Sequence, residues 1–104
     1  VESMFSFDDS EEDESVTITS LKELIAFENP RAITEVSISA ELDCIPREFN
    51  SLTNLRKLTL VNGHISLIEN LTSCHKLEFL NLSSNYISRI QNLSENTVLK
   101  CLVL

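Results

Sequence analysis

The side chains with the widest chemical repertoire are three cysteines, Cys44, Cys74 and Cys101, and two histidines, His64 and His75. The cysteines are 30 and 27 residues apart. That spacing fits no zinc or redox motif. Neither histidine lies near a Cys or carboxylate pair at ligand spacing. No nucleophile sits on a recognisable elbow, and no residue shows a reason for a tuned pKa. The one glycine, Gly63, leaves little room for a loop that cradles phosphate. The expectation is a non-catalytic chain with no metal, no cofactor and no small-molecule substrate. Two serines are candidates for modification instead. Ser6 and Ser10 each have an acid three residues on, in Ser6-Phe7-Asp8-Asp9 and Ser10-Glu11-Glu12-Asp13. This resembles the site preference of acid-directed kinases such as casein kinase 2, and phosphate there would add to existing negative charge. Asn70-Leu-Thr72, Asn81-Leu-Ser83 and Asn92-Leu-Ser94 match the glycosylation acceptor pattern.

The elements that carry these residues are bounded by size and charge. A chain of 104 residues with 42% hydrophobic content suits one domain with a real core. No apolar run approaches the ~18 residues of a membrane span, and no basic-then-apolar leader opens the chain, which starts at Val1. The formal charge is −8, against a nucleic-acid backbone or an anionic membrane as partner. Seven acids (Glu2, Asp8, Asp9, Glu11, Glu12, Asp13 and Glu14) and no base fall in the first 15 residues. The rest of the chain holds nine acids and eight bases and is nearly neutral. A run of like charge without periodic apolar residues stays solvated, so residues 1–16 read as an acidic disordered tail.

The remainder repeats. Shifted by 22 residues, Leu55, Leu58, Leu60, Ile65, Ile68 and Leu71 fall on Leu77, Leu80, Leu82, Ile87, Ile90 and Leu93. Ser66 falls on Ser88 and Asn70 on Asn92, and the register runs back to Ile33, Val36, Ile38 and on to Leu99, Leu102, Leu104. The Leu-x-Leu step has period two, so both leucines face one side of a short strand. The following residues turn the chain, and the two Ile positions point inward. One unit cannot bury its own leucines, but stacked units can, each strand pairing with the next in a parallel ladder. Asn85 is placed to satisfy turn backbone groups left unpaired between units, since its amide both donates and accepts.

These residues resemble the leucine-rich repeat family. The 22-residue unit is similar to the short type of the protein phosphatase 1 regulatory subunit and of many cytosolic, centrosomal or ciliary proteins. The clearest unit is Leu77-Glu-Phe-Leu80-Asn-Leu82-Ser-Ser-Asn85-Tyr-Ile87-Ser-Arg-Ile90. The resemblance implies an α/β fold: a right-handed solenoid with a short parallel sheet on its concave face. It covers residues 33–104, as units 33–54, 55–76, 77–98 and a partial 99–104. Cys74 stands where such repeats take a small apolar residue, which implies a core thiol. Ile45-Pro46-Arg47-Glu48-Phe49-Asn50-Ser51-Leu52 is similar to the longer repeat type, whose convex side is often a short helix. Three positions depart from the pattern. Gly63 replaces the ladder asparagine, with Asn62 one residue early, so a weaker or bulged ladder is expected there. Glu41 stands at the same place in the first unit. Asn96 occupies an expected apolar position. Residues 17–32 read as an N-terminal helical cap. Ser20-Leu21-Lys22-Glu23 is a capping box opening a helix over about 20–28 that Asn29-Pro30 ends, packed on the open edge of the first strand. No polar cap follows the last unit, so a fragment truncated at its C-terminus is expected.

In the implied fold the residues between the leucines point outward from the concave face. One column is Glu35, Lys57, Phe79 and Cys101; the next is Ser37, Thr59, Asn81 and Val103; then Ser39, Val61 and Ser83. Phe79 is the expected anchor for a protein partner, with Asn81, Lys57, Thr59, Glu35 and Ser83 around it. The expected function is an intracellular, cytoplasmic protein-interaction scaffold, with nuclear or centrosomal/ciliary sites as other locations. The alternatives are an extracellular receptor or adhesion ectodomain, and a regulatory subunit of a phosphatase-like enzyme.

Overall fold

The computed structural model describes residues 15–104; the acidic run with Ser6 and Ser10 lies outside the described residues. Five short strands form one sheet: β1 Val16–Ile18, β2 Ile33–Ser39, β3 Lys57–Val61, β4 Phe79–Asn81 and β5 Cys101–Val103. They lie in chain order and every neighbouring pair is parallel. Parallel neighbours cannot be joined by a tight turn, so each connection crosses over behind the sheet. The register carries the sequence period directly. Leu58 lies opposite Leu80 and Leu80 opposite Leu102, a step of 22 residues each time. The ladder continues at the strand starts, where Arg56, Glu78 and Lys100 N–H groups donate to Thr34, Arg56 and Glu78 carbonyls, each at 2.8 Å.

Alternation decides what each strand buries. Val36, Ile38, Leu58, Leu60, Leu80 and Leu82 are buried, while the residues between them are half-buried or exposed. The crossovers return Ile45, Phe49, Leu52, Leu55, Ile65, Ile68, Leu71, Cys74 and Leu77 to the same core. Each buried aliphatic contributes roughly 1.5–3 kcal/mol against its exposed state. The crossover after β2 includes a 3-10 turn, Arg47–Ser51, which directs Phe49 inward.

The turns are held by asparagine. Asn85 Nδ2 donates to the carbonyls of Leu60 (2.8 Å), Leu82 (3.0 Å) and Ser83 (3.2 Å), and its Oδ1 accepts from Ile65 N–H at 3.1 Å. Asn70 Nδ2 donates to Ile45 O and Asn92 Nδ2 to Ile68 O, both at 2.7 Å. Asn70 and Asn92 sit at φ 63° and 62°, where asparagine is tolerated better than most residues. One bond thus recurs in successive units with the same backbone twist.

Six expectations are corrected. The edge of β2 is covered by a strand, because the β-branched run Val16-Thr17-Ile18 pairs with it through a register shift at Val16/Thr17. Backbone satisfies a ladder better than a helix side can. The helix, α1 at Leu21–Ala26, is shorter than foreseen; Ser20 Oγ accepts from Glu23 N–H at 3.1 Å, and Glu23 Oε1 accepts from Thr19 N–H. Strand β1 opens at Val16, inside the stretch read as tail. Gly63 causes no bulge in the β2–β3 or β3–β4 pairing. A Cβ there would sit 2.8 Å from Leu42 O and 3.0 Å from both Ala40 O and Asn85 Oδ1, so glycine makes room for the preceding turn's backbone and for the next unit's asparagine. The left-handed turn falls on Asn62, at φ 65°. Asn96 is buried, and its Nδ2 donates to Leu71 O (2.9 Å) and Cys74 O (3.0 Å). It adds a second donor to two carbonyls that already accept backbone N–H groups, Leu71 O from Cys74 and Cys74 O from Leu77. Ile90 is 64% exposed, although Ile68, one period earlier, is fully buried. The chain after Ile68 stacks over it, and among the described residues nothing stacks over Ile90.

Two substitutions separate the contributions. Leu80→Ala is expected to cost about 2–5 kcal/mol in urea unfolding. Asn85→Ala is expected to cost about 1–3 kcal/mol, because Ile65 N–H and the carbonyls of Leu60 and Leu82 lose their partner. An Asn85→Ala chain as stable as Ser66→Ala, a change at an exposed position, would remove asparagine from this account.

Candidate functional site

The side of the sheet opposite the core presents side chains in straight rows. Register places Thr17, Glu35, Lys57, Phe79 and Cys101 side by side across all five strands. A second row is Ser37, Thr59, Asn81 and Val103. Neighbours within a row stand about 4.8 Å apart, the strand spacing. The structure thus brings together Glu35, Lys57 and Phe79, with Thr59 and Asn81 beside them. Ser83 lies just past the end of β4 and is half-buried. Lys57 is exposed, whereas Glu35, Thr59, Phe79 and Asn81 are half-buried. Phe79 lies between Lys57 and Cys101 with its ring partly open to water. Asn81 is partly committed already, since its Oδ1 accepts from Ser83 N–H at 3.0 Å. The face therefore offers one aromatic ring, a flexible cation and small polar groups on a backbone fixed by the ladder.

Two features beside this face were missed from sequence. One is a stacked pair on the turns that leave the strands. His64 and Tyr86 have ring centroids 5.8 Å apart and planes 9° from parallel. Tyr86 is 65% exposed, and His64 Nδ1 lies 3.4 Å from Asp43 Oδ1. The other is a cavity of about 280 Å³ where the strands begin, lined by Arg56, His75, Lys76, Glu78, Val98 and Lys100. The signal for both was the repeat step. Arg56, Glu78 and Lys100 are 22 residues apart, as are Lys76 and Val98, and His64 and Tyr86.

The three cysteines carry no bridge; Cys44 and Cys101 are exposed and Cys74 is buried. Cys74 Sγ lies 3.5 Å from Phe49 O, and burial pushes its thiol up to about 11. No three His, Cys, Asp or Glu side chains converge on a common point among the described residues. No helix among them is long and apolar enough to cross a membrane. Comparison with protein-family models, curated proteins and solved structures returns no match.

Thiol chemistry checks the placement of Cys74. At pH 8 the native chain is expected to react quickly at Cys44 and Cys101 only, with Cys74 labelled after denaturation, as read by mass spectrometry. The raised pKa also fixes a pH dependence. The folded state holds this proton more tightly than the unfolded state. The resulting stability is fully present below pH 9.0 and is lost as pH rises through about 11. Cys74→Ala should remove that part of the alkaline loss in denaturant melts.

Proposed function

We propose that this chain is a leucine-rich repeat module that binds a protein partner on the exposed face of its sheet and performs no catalysis. The observation that carries the reading is the row Glu35, Lys57, Phe79, Cys101 in continuous register. Side chains fixed on a hydrogen-bonded ladder lose little freedom when a partner docks. A partly open aromatic ring among small polar groups has the character of an interface anchor. The turn asparagines support the repeat assignment, since Asn70 and Asn92 make the same bond one period apart.

The same asparagines favour a cytoplasmic module over an extracellular ectodomain. Asn70 and Asn92 are glycosylation acceptors by pattern, but each Nδ2 is 2.7 Å from a turn carbonyl. A sugar would have to be attached to a nitrogen already holding the turn. Three unbridged cysteines, two of them exposed, suit a reducing compartment. A phosphatase regulator is a narrower case of the same reading, and no residue of the face points to it specifically, because fold does not fix function.

Phe79→Ala in the full chain is expected to reduce partner capture at least tenfold, on the order of a hot-spot contact. The melting temperature should move far less than in Leu80→Ala. Quantitative co-purification beside Thr72→Ala, on an exposed crossover position, gives the comparison. Equal capture by the Phe79→Ala and Thr72→Ala chains would contradict the proposed face.

A further inference from the structure

The cavity where the strands begin holds charge opposite to that of the chain as a whole. The sequence carries −8, yet the cavity is lined by Arg56, Lys76 and Lys100, three of the eight bases, with His75 and a single acid, Glu78. Arg56 Nη1 lies 3.7 Å from Glu78 Oε2, so that carboxylate is already matched by one guanidinium. Lys76 Nζ is held 3.0 Å from Asn54 Oδ1, a neutral acceptor that fixes the ammonium without cancelling its charge. Lys100 continues the row one strand on, its N–H bonded to Glu78 O. Val98, 44% exposed, adds an apolar patch to the lining. The cavity adjoins the proposed binding face residue by residue: Arg56 precedes Lys57, Glu78 precedes Phe79, and Lys100 precedes Cys101.

We infer that this basic groove receives an acidic peptide segment of the partner, so that one protein covers Phe79 and places carboxylates between Lys76 and Lys100. The inference rests on the reading of the sheet face as a protein-binding surface and names the chemistry of the partner at its border. Charge complementarity argues for the occupant. Two ammonium groups beside a neutralised ion pair attract carboxylates, and the remaining acids of the chain repel them elsewhere. At physiological salt the screening length is about 8 Å, so the local cluster outweighs the distant net charge. A basic or purely apolar segment would leave those ammonium groups uncompensated.

The probe is a fluorescein-labelled octaglutamate peptide added to the full chain and followed by anisotropy, with octalysine as control. Saturable binding of octaglutamate alone is expected, weakened about tenfold or more by Lys76→Glu with Lys100→Glu and by high salt. The milder pair Lys76→Gln with Lys100→Gln guards against misfolding and should weaken binding in the same direction. Phe79→Ala should leave octaglutamate binding unchanged, because the peptide reports the groove only. Loss of natural partner capture in Phe79→Ala without any octaglutamate binding would overturn the groove and leave the sheet face standing. Octaglutamate binding with unaltered capture in Phe79→Ala would do the reverse. Binding that survives both lysine pairs overturns the assignment. So does binding that appears only after Asp8, Asp9, Glu11, Glu12, Asp13 and Glu14 are changed to amides, since the groove would then serve the chain's own acidic run.

Discussion

Each time the chain leaves a strand and turns back, it carries backbone N–H and C=O groups into part-buried positions between stacked turns. A strand ladder cannot satisfy them, because the backbone has left the sheet. Backbone bonds between stacked turns satisfy some, such as Tyr86 N–H to Ile65 O at 2.8 Å, and asparagine side chains satisfy others. Asn85 bonds three carbonyls and one N–H, Asn70 and Asn92 each bond a carbonyl of the preceding unit, and Asn96 bonds two more. Without the bonds of Asn70, Asn85 and Asn92 the turns would hold unpaired polar groups, at about 1–3 kcal/mol each. The parallel sheet, its fixed register and the rows of side chains it displays all depend on those turns closing.

The consequence for function is geometric. A 22-residue step places side chains 22 apart in sequence next to each other in space, so local composition becomes surface chemistry row by row. The row one residue ahead of Phe79 contains Arg56, Glu78 and Lys100; the row of Phe79 contains Lys57 and Cys101. A half-buried aromatic ring and a basic groove thus meet at one border, although no short stretch of sequence contains both.

Legibility followed the same logic. The strands, their parallel order and the exposed columns could be read because period-two leucines and a constant step leave few alternatives. Asn85 was readable because its side chain serves a turn that the step itself defines. Asn96 was not: an amide at an apolar position looks like a defect until two carbonyls are found beside it. Gly63 read as a weakness, since only the stacked structure shows the carbonyls of Ala40 and Leu42 and the amide of Asn85 closing on the space a Cβ would take. The β1 strand was hidden because three residues without a repeat partner carry no periodic signal. The groove was hidden because its charges are spread over residues 56 to 100 and converge only through the ladder.

The most direct test of the account is a proton NMR map of contacts between the strands. Parallel pairing predicts cross-peaks linking the backbone of residues 57–59 to 79–81, and of 79–81 to 101–103, in unbroken steps. Cross-peaks characteristic of antiparallel pairing, a helical pattern across these segments, or no contacts between them would contradict it and dissolve the rows on which both proposed surfaces stand.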